Sequence, residues 1–224
     1  MNDNKKSLAI ATLVVGLLIG GGLGYATSMN KDDDHKEESS SVATTDTKAA
    51  GLRTVLNNLE SEHVDLASAA TRAGFDGDPS FMAAAASLDV NSNALSDAVG
   101  SVYGEEAREK FYEIWNSHIG FFVDYTVAAK GGDQAGMDKA VQNLNGYVEA
   151  ISTFLSGANP NLPKDAVAQL ITEHVGLLKE AVDKHGAGDY AASYDAQMRA
   201  RTQITTKIAD TLAGAIVKQN PDNF

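Results

Sequence analysis

The chain has 224 residues, of which 43% are hydrophobic and 21% are charged, so it has enough apolar material for a folded domain. It contains no cysteine, which excludes disulfides, thiolate metal sites and a cysteine nucleophile. Its formal net charge is −12. Such acidity argues against nucleic acid as a partner, because nucleic-acid interfaces are basic. It is compatible with a well-solvated surface or with a protein partner on the acidic surface.

The first 26 residues predict a membrane anchor or a signal peptide. Lys5 and Lys6 precede a run from Leu8 to Ala26 that has no charged residue, and Asp32-Asp33-Asp34 follow it. Nineteen helical residues span roughly 28 Å, close to the thickness of a hydrocarbon core. The charge asymmetry predicts a single-pass protein of the cell membrane with its domain outside the cytoplasm. The alternative is a secreted protein, because Gly24-Tyr25-Ala26 resembles a cleavage site.

Residues 27–50 are rich in Ser, Thr, Lys, Asp and Glu. A segment of this composition cannot bury a core, so a disordered acidic linker is expected there. From Leu52 onward the apolar residues follow a helical period, and the domain is expected to occupy residues 51–224.

A frame occurs three times in this domain: a histidine, then Gly-Asp fourteen residues later. The histidines are His63, His118 and His174, which are 55 and 56 residues apart. This spacing predicts three αα-hairpin repeats of ~55 residues, at about 52–104, 105–162 and 163–224. The Gly-Asp pairs predict tight turns between helices, since glycine ends one helix and aspartate caps the next.

The predicted fold is all-α, with six helices. The second helices of the hairpins are expected at about Pro79–Val99, Asp133–Leu155 and Asp189–Val217, with a connection at Gly100–Gly104. The helix from Glu105 to Lys130 is apolar over most of its circumference, which indicates burial on several sides. The hairpins are therefore expected to form a six-helix bundle, or two four-helix bundles fused through the middle hairpin.

The three histidines lie at the centre of the apolar stripes of their helices. Three imidazoles with one open position are a ligand set for zinc or copper, so His63, His118 and His174 are the candidate metal ligands. They meet only if the first helices of the hairpins lie innermost. The alternative is that each is a neutral core residue bonded to a polar side chain of a facing helix. The candidates for that partner are Asn91, Asn143, Tyr147 and Gln203.

Other polar residues carry less specific signals. Glu60 and His63 form one Glu-x-x-His pair, whereas a ferritin-like di-iron site needs two. Glu62 and Glu173 are expected to point away from the stripe. His185 is expected to cap a helix C-terminus. The sequence contains no phosphate loop, nucleophile elbow or zinc-protease motif, and we expect no enzyme activity.

Three stretches support a family resemblance: His118 to Thr126, Asn159-Pro160-Asn161-Leu162-Pro163, and Ala215 to Gln219. With the repeat frame, they resemble helical domains of secreted or surface proteins of Gram-positive bacteria, some labelled copper amine oxidase N-terminal-like. The resemblance implies an extracytoplasmic helical module. The family's last helix often carries a histidine near its middle, where this chain has Gln197-Met198-Arg199 to Gln203-Ile204.

The expected function is therefore that of a membrane-tethered binding or interaction module outside the cytoplasm. Its ligand would be a transition metal or metal cofactor held by the three histidines. The alternative is a purely structural envelope protein without a small-molecule site.

Overall fold

The computed structural model describes residues 45–224, and this part of the chain is helical, without strands. The first five helices are α1 (Lys48–Asp76), α2 (Phe81–Tyr103), α3 (Glu105–Gly131), α4 (Gln134–Ala158) and α5 (Lys164–Gly186). The sixth, α6, has three successive segments: Tyr190–Gln203, a π-helical Ile204–Ala209, and Asp210–Gln219. A 3-10 turn, Pro221–Asn223, follows.

The predicted anchor and most of the predicted linker lie outside the described residues. The end of the linker differs from expectation, because α1 begins at Lys48. The Thr47 hydroxyl accepts a hydrogen bond from the amide of Ala50 at 3.1 Å, which is a capping contact. Residues Leu52–Phe224 form one compact unit. Within residues 45–224, no helix is both long enough and apolar enough to cross a membrane.

Three turns of the same geometry follow α1, α3 and α5. Each has a left-handed glycine, at φ 74° for Gly77, 66° for Gly132 and 75° for Gly188. The aspartate after each glycine donates its amide to a carbonyl five residues back, at 2.8–2.9 Å. The side chains of Asp133 and Asp189 accept amides from the first turn of the next helix, whereas that of Asp78 accepts the amide of Ser80, just before α2 begins. Turn chemistry thus explains the Gly-Asp half of the repeated frame.

The connection between α2 and α3 is shorter than predicted. α2 begins at Phe81, after Pro79, and continues to Tyr103, so only Gly104 separates it from α3. Gly100, expected in a loop, lies inside α2 at a close approach of the two helices. A Cβ atom there would lie 2.8 Å from the Cβ of Arg108. Gly104, at φ 89°, then turns the chain.

Helices that follow each other in the chain pack together from α2 to α6, and α3 also packs on α5. Contacts between the rings of His63, His118 and His174 join α1, α3 and α5. The first helices of all three hairpins therefore meet. That contact rules out the side-by-side pair of four-helix bundles, in which the outer hairpins would be apart, and leaves a six-helix bundle. The main core cluster includes Trp115, Phe122, Leu144, Ile151 and Ile204.

The last helix was expected to be regular from Asp189 to Val217, but it contains a π-helical segment, Ile204–Ala209. The hydroxyls of Thr205 and Thr206 bond to backbone carbonyls of the preceding turn, Arg201 and Thr202. Threonine hydroxyls that bond in this way compete with the helical hydrogen bonds. The segment begins directly after Gln203, whose side chain is buried.

We predict that Gly132→Ala destabilises the protein by about 1–2 kcal/mol, because alanine is strained in the left-handed region. Gly120→Ala is the matched control. Gly120 lies within α3, and a Cβ atom at either position would meet nothing within 4 Å. The control should therefore stabilise the helix by roughly 0.5–1 kcal/mol. Urea denaturation measures both variants, and a change of the same sign in the two would contradict the assignment of the turn.

Candidate functional site

The three histidines come together in the interior of the bundle. His63, on α1, is 1% exposed, His118, on α3, is 3% exposed, and His174, on α5, is 5% exposed. The ring centroid of His63 lies 5.4 Å from that of His118 and 6.4 Å from that of His174. We call this group the imidazole cluster. The condition set by the sequence, that the first helices lie innermost, is therefore met.

Gln203 fixes the protonation pattern of His174. Its amide nitrogen donates to the carbonyl of Leu170 at 2.9 Å, which directs its Oε1 toward His174. That oxygen lies 3.2 Å from Nδ1 of His174. Because an amide oxygen only accepts, Nδ1 carries the proton and Nε2 keeps its lone pair. Gln203 was one of the four partners proposed from the sequence.

His118 has the same pattern. Its Nδ1 donates a hydrogen bond to the backbone carbonyl of Trp115, one turn earlier in α3. Its Nε2 is therefore the unprotonated nitrogen of a neutral ring. The Tyr147 ring stacks on His118 with 4.5 Å between centroids, so this second proposed partner contacts the imidazole through its face. A ring N–H held by a carbonyl or amide oxygen is the usual outer contact of a metal-binding histidine.

Several buried polar atoms around the cluster have no hydrogen-bond partner within residues 45–224. They are both ring nitrogens of His63, Nε2 of His174, Nε1 of Trp115 and Oε2 of Glu60. Trp115 lies 4.8 Å from both His63 and His118, measured between ring centroids. Unpaired buried groups are rare, since each costs about 1–3 kcal/mol. Their concentration at one place distinguishes this part of the core.

Glu60 adds a buried carboxyl one helical turn before His63. It is 2% exposed, and burial raises its pKa to about 8. It also lies close enough to Tyr147 to raise the pKa of that phenol, after the larger effect of burial. The single Glu-x-x-His pair of the sequence therefore places a carboxyl and an imidazole together in the core, although no second such pair exists for a di-iron site.

Burial holds the imidazole cluster in its neutral form. It lowers the pKa of His118 to about 3 and that of His174 to about 4. The pKa of His63 is lowered well below its usual value, first by burial and then by the two neighbouring histidines. At neutral pH the three rings and Glu60 therefore carry almost no charge. The cluster offers lone pairs without a net negative charge.

The cluster does not have the geometry of an assembled metal site. Within the described residues, no three His, Cys, Asp or Glu side chains are placed so that they could hold a metal ion. Zinc holds imidazole nitrogens at about 2.1 Å, which in a tetrahedral site puts them roughly 3.4 Å from each other. Nitrogens of rings whose centroids are 5.4 and 6.4 Å apart reach that separation only if the rings turn toward a common point.

The remaining residues singled out from the sequence lie elsewhere. Glu62 is exposed and accepts a hydrogen bond from Asn91, and Glu173 pairs with Lys207, so both face away from the cluster. Asn91 also donates to the carbonyl of Leu59 and is not a partner of His63. His185 lies in the last turn of α5, as expected, and its Nε2 donates to Asp76 at 2.8 Å, which joins the ends of α5 and α1.

A cavity of about 350 Å³ adjoins the imidazole cluster. His63 and His118 form part of its wall, and the rest comes from α1, α2, α3, α5 and the α1–α2 turn. The first hairpin contributes small residues to this wall: Ala67, Ala70, Ala73, Gly74 and Ala85. Small side chains do not fill the space between packed helices, which explains why the cavity lies at this hairpin.

Sequence reasoning singled out Glu60 only as an incomplete di-iron motif, and it missed the burial of Glu60, the contacts of Trp115 and the cavity. The burial of Glu60 could have been inferred from its position on the same stripe as His63, three residues away. The environment of Trp115 depends on a contact between α1 and α3, which spacing alone does not give. Comparison of the chain with protein-family models, curated proteins and solved structures finds no match.

We predict that Glu60 makes the protein less stable at alkaline pH. The folded protein holds a proton on Glu60 up to pH of about 8, whereas the unfolded chain releases it near 4.5. The contribution of Glu60 to the free energy of unfolding is fully present below pH 4.5 and is lost as the pH rises through 8. Between pH 6 and 8 the loss is about 2 kcal/mol. Denaturation of Glu60→Gln should lack this decline.

Glu62→Gln is the matched control, since Glu62 is exposed and the amide oxygen can still accept from Asn91. It should keep the decline between pH 6 and 8. Both variants and the parent should lose stability from pH 6 toward pH 4. There the unfolded histidines take up protons that buried His118 and His174 do not. An alkaline decline that persists in Glu60→Gln would contradict the burial of a protonated carboxyl.

Proposed function

We propose that residues 51–224 are a binding module outside the cytoplasm in which His63, His118 and His174 hold one transition-metal ion. The observation that carries this proposal is the set of unpaired polar atoms around the imidazole cluster. His118 and His174 each donate Nδ1 to an oxygen and present Nε2 as a lone pair, as metal-binding histidines do. An ion would give a partner to Nε2 of His174 and to one ring nitrogen of His63.

The charges of the site fit a cation. The imidazoles are neutral at physiological pH, so an ion would not have to displace protons from them. Glu60 would lose its proton beside the ion and offset part of the ion's charge. Nitrogen ligands without thiolates favour zinc or copper over calcium or magnesium.

A structural role is the second candidate, and two observations favour it. His174 and His118 already have partners in Gln203 and Trp115, and the described residues contain no assembled metal site. In that case the cluster is a neutral polar core, and the protein is an envelope component whose acidic surface meets a protein partner. Replacement of a histidine by leucine would then stabilise the fold, because it removes buried unpaired nitrogens.

We predict that the purified full chain binds one zinc or copper ion in equilibrium dialysis. A free ion concentration 100 times the dissociation constant should raise the free energy of unfolding by about 2.7 kcal/mol. His63→Leu, His118→Leu and His174→Leu should each fold, as judged by circular dichroism, and should weaken binding by at least a hundredfold. Loss of one of three nitrogen ligands removes a coordinate bond, which the leucine cannot replace.

His185→Gln is the matched control, because His185 lies in the same helix as His174 but pairs with Asp76. It should bind the ion as the parent does. Binding that is lost in His185→Gln and kept in the other three variants would place the ion at the Asp76 pair. No stoichiometric binding, together with a gain in stability for the leucine variants, would establish the structural role.

We also propose that the module is tethered to the cell membrane by residues 1–26. The support is the uncharged run from Leu8 to Ala26, preceded by lysines and followed by aspartates. The full chain should stay with the membrane fraction after carbonate extraction. In intact cells whose wall has been removed, added protease should digest the domain, because the domain lies outside the cytoplasm. Release of the mature protein into the medium would favour cleavage after Ala26 instead.

A further inference from the structure

The cavity beside the imidazole cluster has the size of a ligand site. Ligand pockets commonly measure about 300–1,000 Å³, and an apolar cavity of about 150 Å³ is enough to admit benzene. This one measures about 350 Å³. One wall runs along α1 from His63 to Gly74, which is roughly 16 Å of helix, and continues to Gly77 in the turn. An elongated molecule therefore fits it better than a compact ring system.

The walls are apolar along most of this length. Besides the small residues of the first hairpin, they include Phe81, Leu88, Phe122, Val123 and Leu178. The exposed part of the wall includes Met82, in the first turn of α2, which is 73% exposed, and Val127 of α3, which is 64% exposed. Large exposed apolar side chains at a rim favour the entry of an apolar molecule. Asp78 is the charged residue of this wall, and it lies in the α1–α2 turn at the rim, whereas the described residues further in carry no charged side chain, since the imidazoles are neutral.

The buried end carries hydrogen-bonding groups without partners. His63 is 1% exposed, and neither of its ring nitrogens has a partner within residues 45–224. A neutral imidazole has one donor and one acceptor, and a hydroxyl group has both as well. Ser68, which is 3% exposed, adds another unpaired hydroxyl to the wall. The site is therefore polar at one end and apolar over the rest.

We propose that this cavity binds an elongated, uncharged molecule with an apolar chain and one hydroxyl group, which bonds to the imidazole of His63. The chain would lie along the alanine-lined wall of α1 and α2. A charged head group is disfavoured, because the imidazole cluster is buried and holds no counter-charge for it. The inference needs no bound ion, and an ion on His63 would compete with the hydroxyl group for a ring nitrogen.

The probe is 1-octanol, an uncharged chain with one terminal hydroxyl. Trp115 is the single tryptophan of the sequence and contacts both His63 and His118, so its fluorescence reports on the buried end of the cavity. The full chain is reconstituted in liposomes with a chelator present, which keeps the result independent of metal binding. We expect a saturable change in Trp115 emission with 1-octanol and none with octanoate at pH 7.

Two variants fill the cavity from opposite walls: Ala85→Leu from α2 and Ala67→Leu from α1. Each should weaken 1-octanol binding at least tenfold and raise the melting temperature without ligand. Ala83→Leu is the matched control, because Ala83 lies on α2 but is exposed and does not line the cavity. In Ala83→Leu liposomes the lipid takes up the same amount of 1-octanol, and this variant should bind 1-octanol as the parent does.

His63→Leu tests the hydroxyl contact and should weaken 1-octanol binding about threefold to tenfold, the loss of one hydrogen bond. Unchanged affinity in His63→Leu would overturn the assignment of the hydroxyl to the imidazole. A parent protein without a saturable response would overturn the proposal. Binding by Ala85→Leu and Ala67→Leu that is as tight as the parent's would overturn it as well. Failure of metal binding leaves these outcomes unaffected, since the chelator removes the ion throughout.

Discussion

The structure depends on how three imidazoles and a carboxyl are kept in the core without charge. α1, α3 and α5 meet at His63, His118 and His174, and Glu60 lies one turn away. An isolated charge in such a place costs far more than one hydrogen bond returns, so the groups stay neutral. Burial lowers the histidine pKa values and raises that of Glu60, and both shifts remove charge.

The neutral cluster is only partly satisfied by its surroundings. Gln203 and the Trp115 carbonyl each bond one nitrogen, whereas His63 has no partner on either nitrogen within the described residues. A core selected for stability alone would gain from apolar side chains of the same volume at these positions. The unpaired atoms are therefore the reason to propose a ligand, and the same atoms serve an ion or a hydroxyl group.

The asymmetry between the hairpins has a structural consequence. α3 contributes large side chains, such as Phe111, Trp115 and Phe122, which fill the interior. α1 and α2 contribute alanines and a glycine at the facing positions, and a cavity remains between them. Similar turns thus join hairpins with different packing. The cavity extends from the rim at the α1–α2 turn to the imidazoles, so the two proposed sites share one wall.

The sequence by itself determined the helices and the turns after α1, α3 and α5. These are local properties: the helical period of apolar residues and the left-handed glycine followed by a capping aspartate act within a few residues. It was less successful where contacts override local signals. Gly100 was expected in a loop, but it lies within α2, and the close approach of Arg108 explains why a residue without Cβ stands there. The π-helical segment of α6 was not expected either.

Only the tertiary structure decided whether the histidines meet. Identical spacing gives three helices the same phase, but it does not say which helices lie innermost, because that depends on how the hairpins pack. The packing brought His63 to His118 and His174, buried Glu60 beside them, and left the alanine-lined cavity next to them. Periodicity along one helix identifies a buried face. The neighbours of that face are set by side chains that are distant in the sequence.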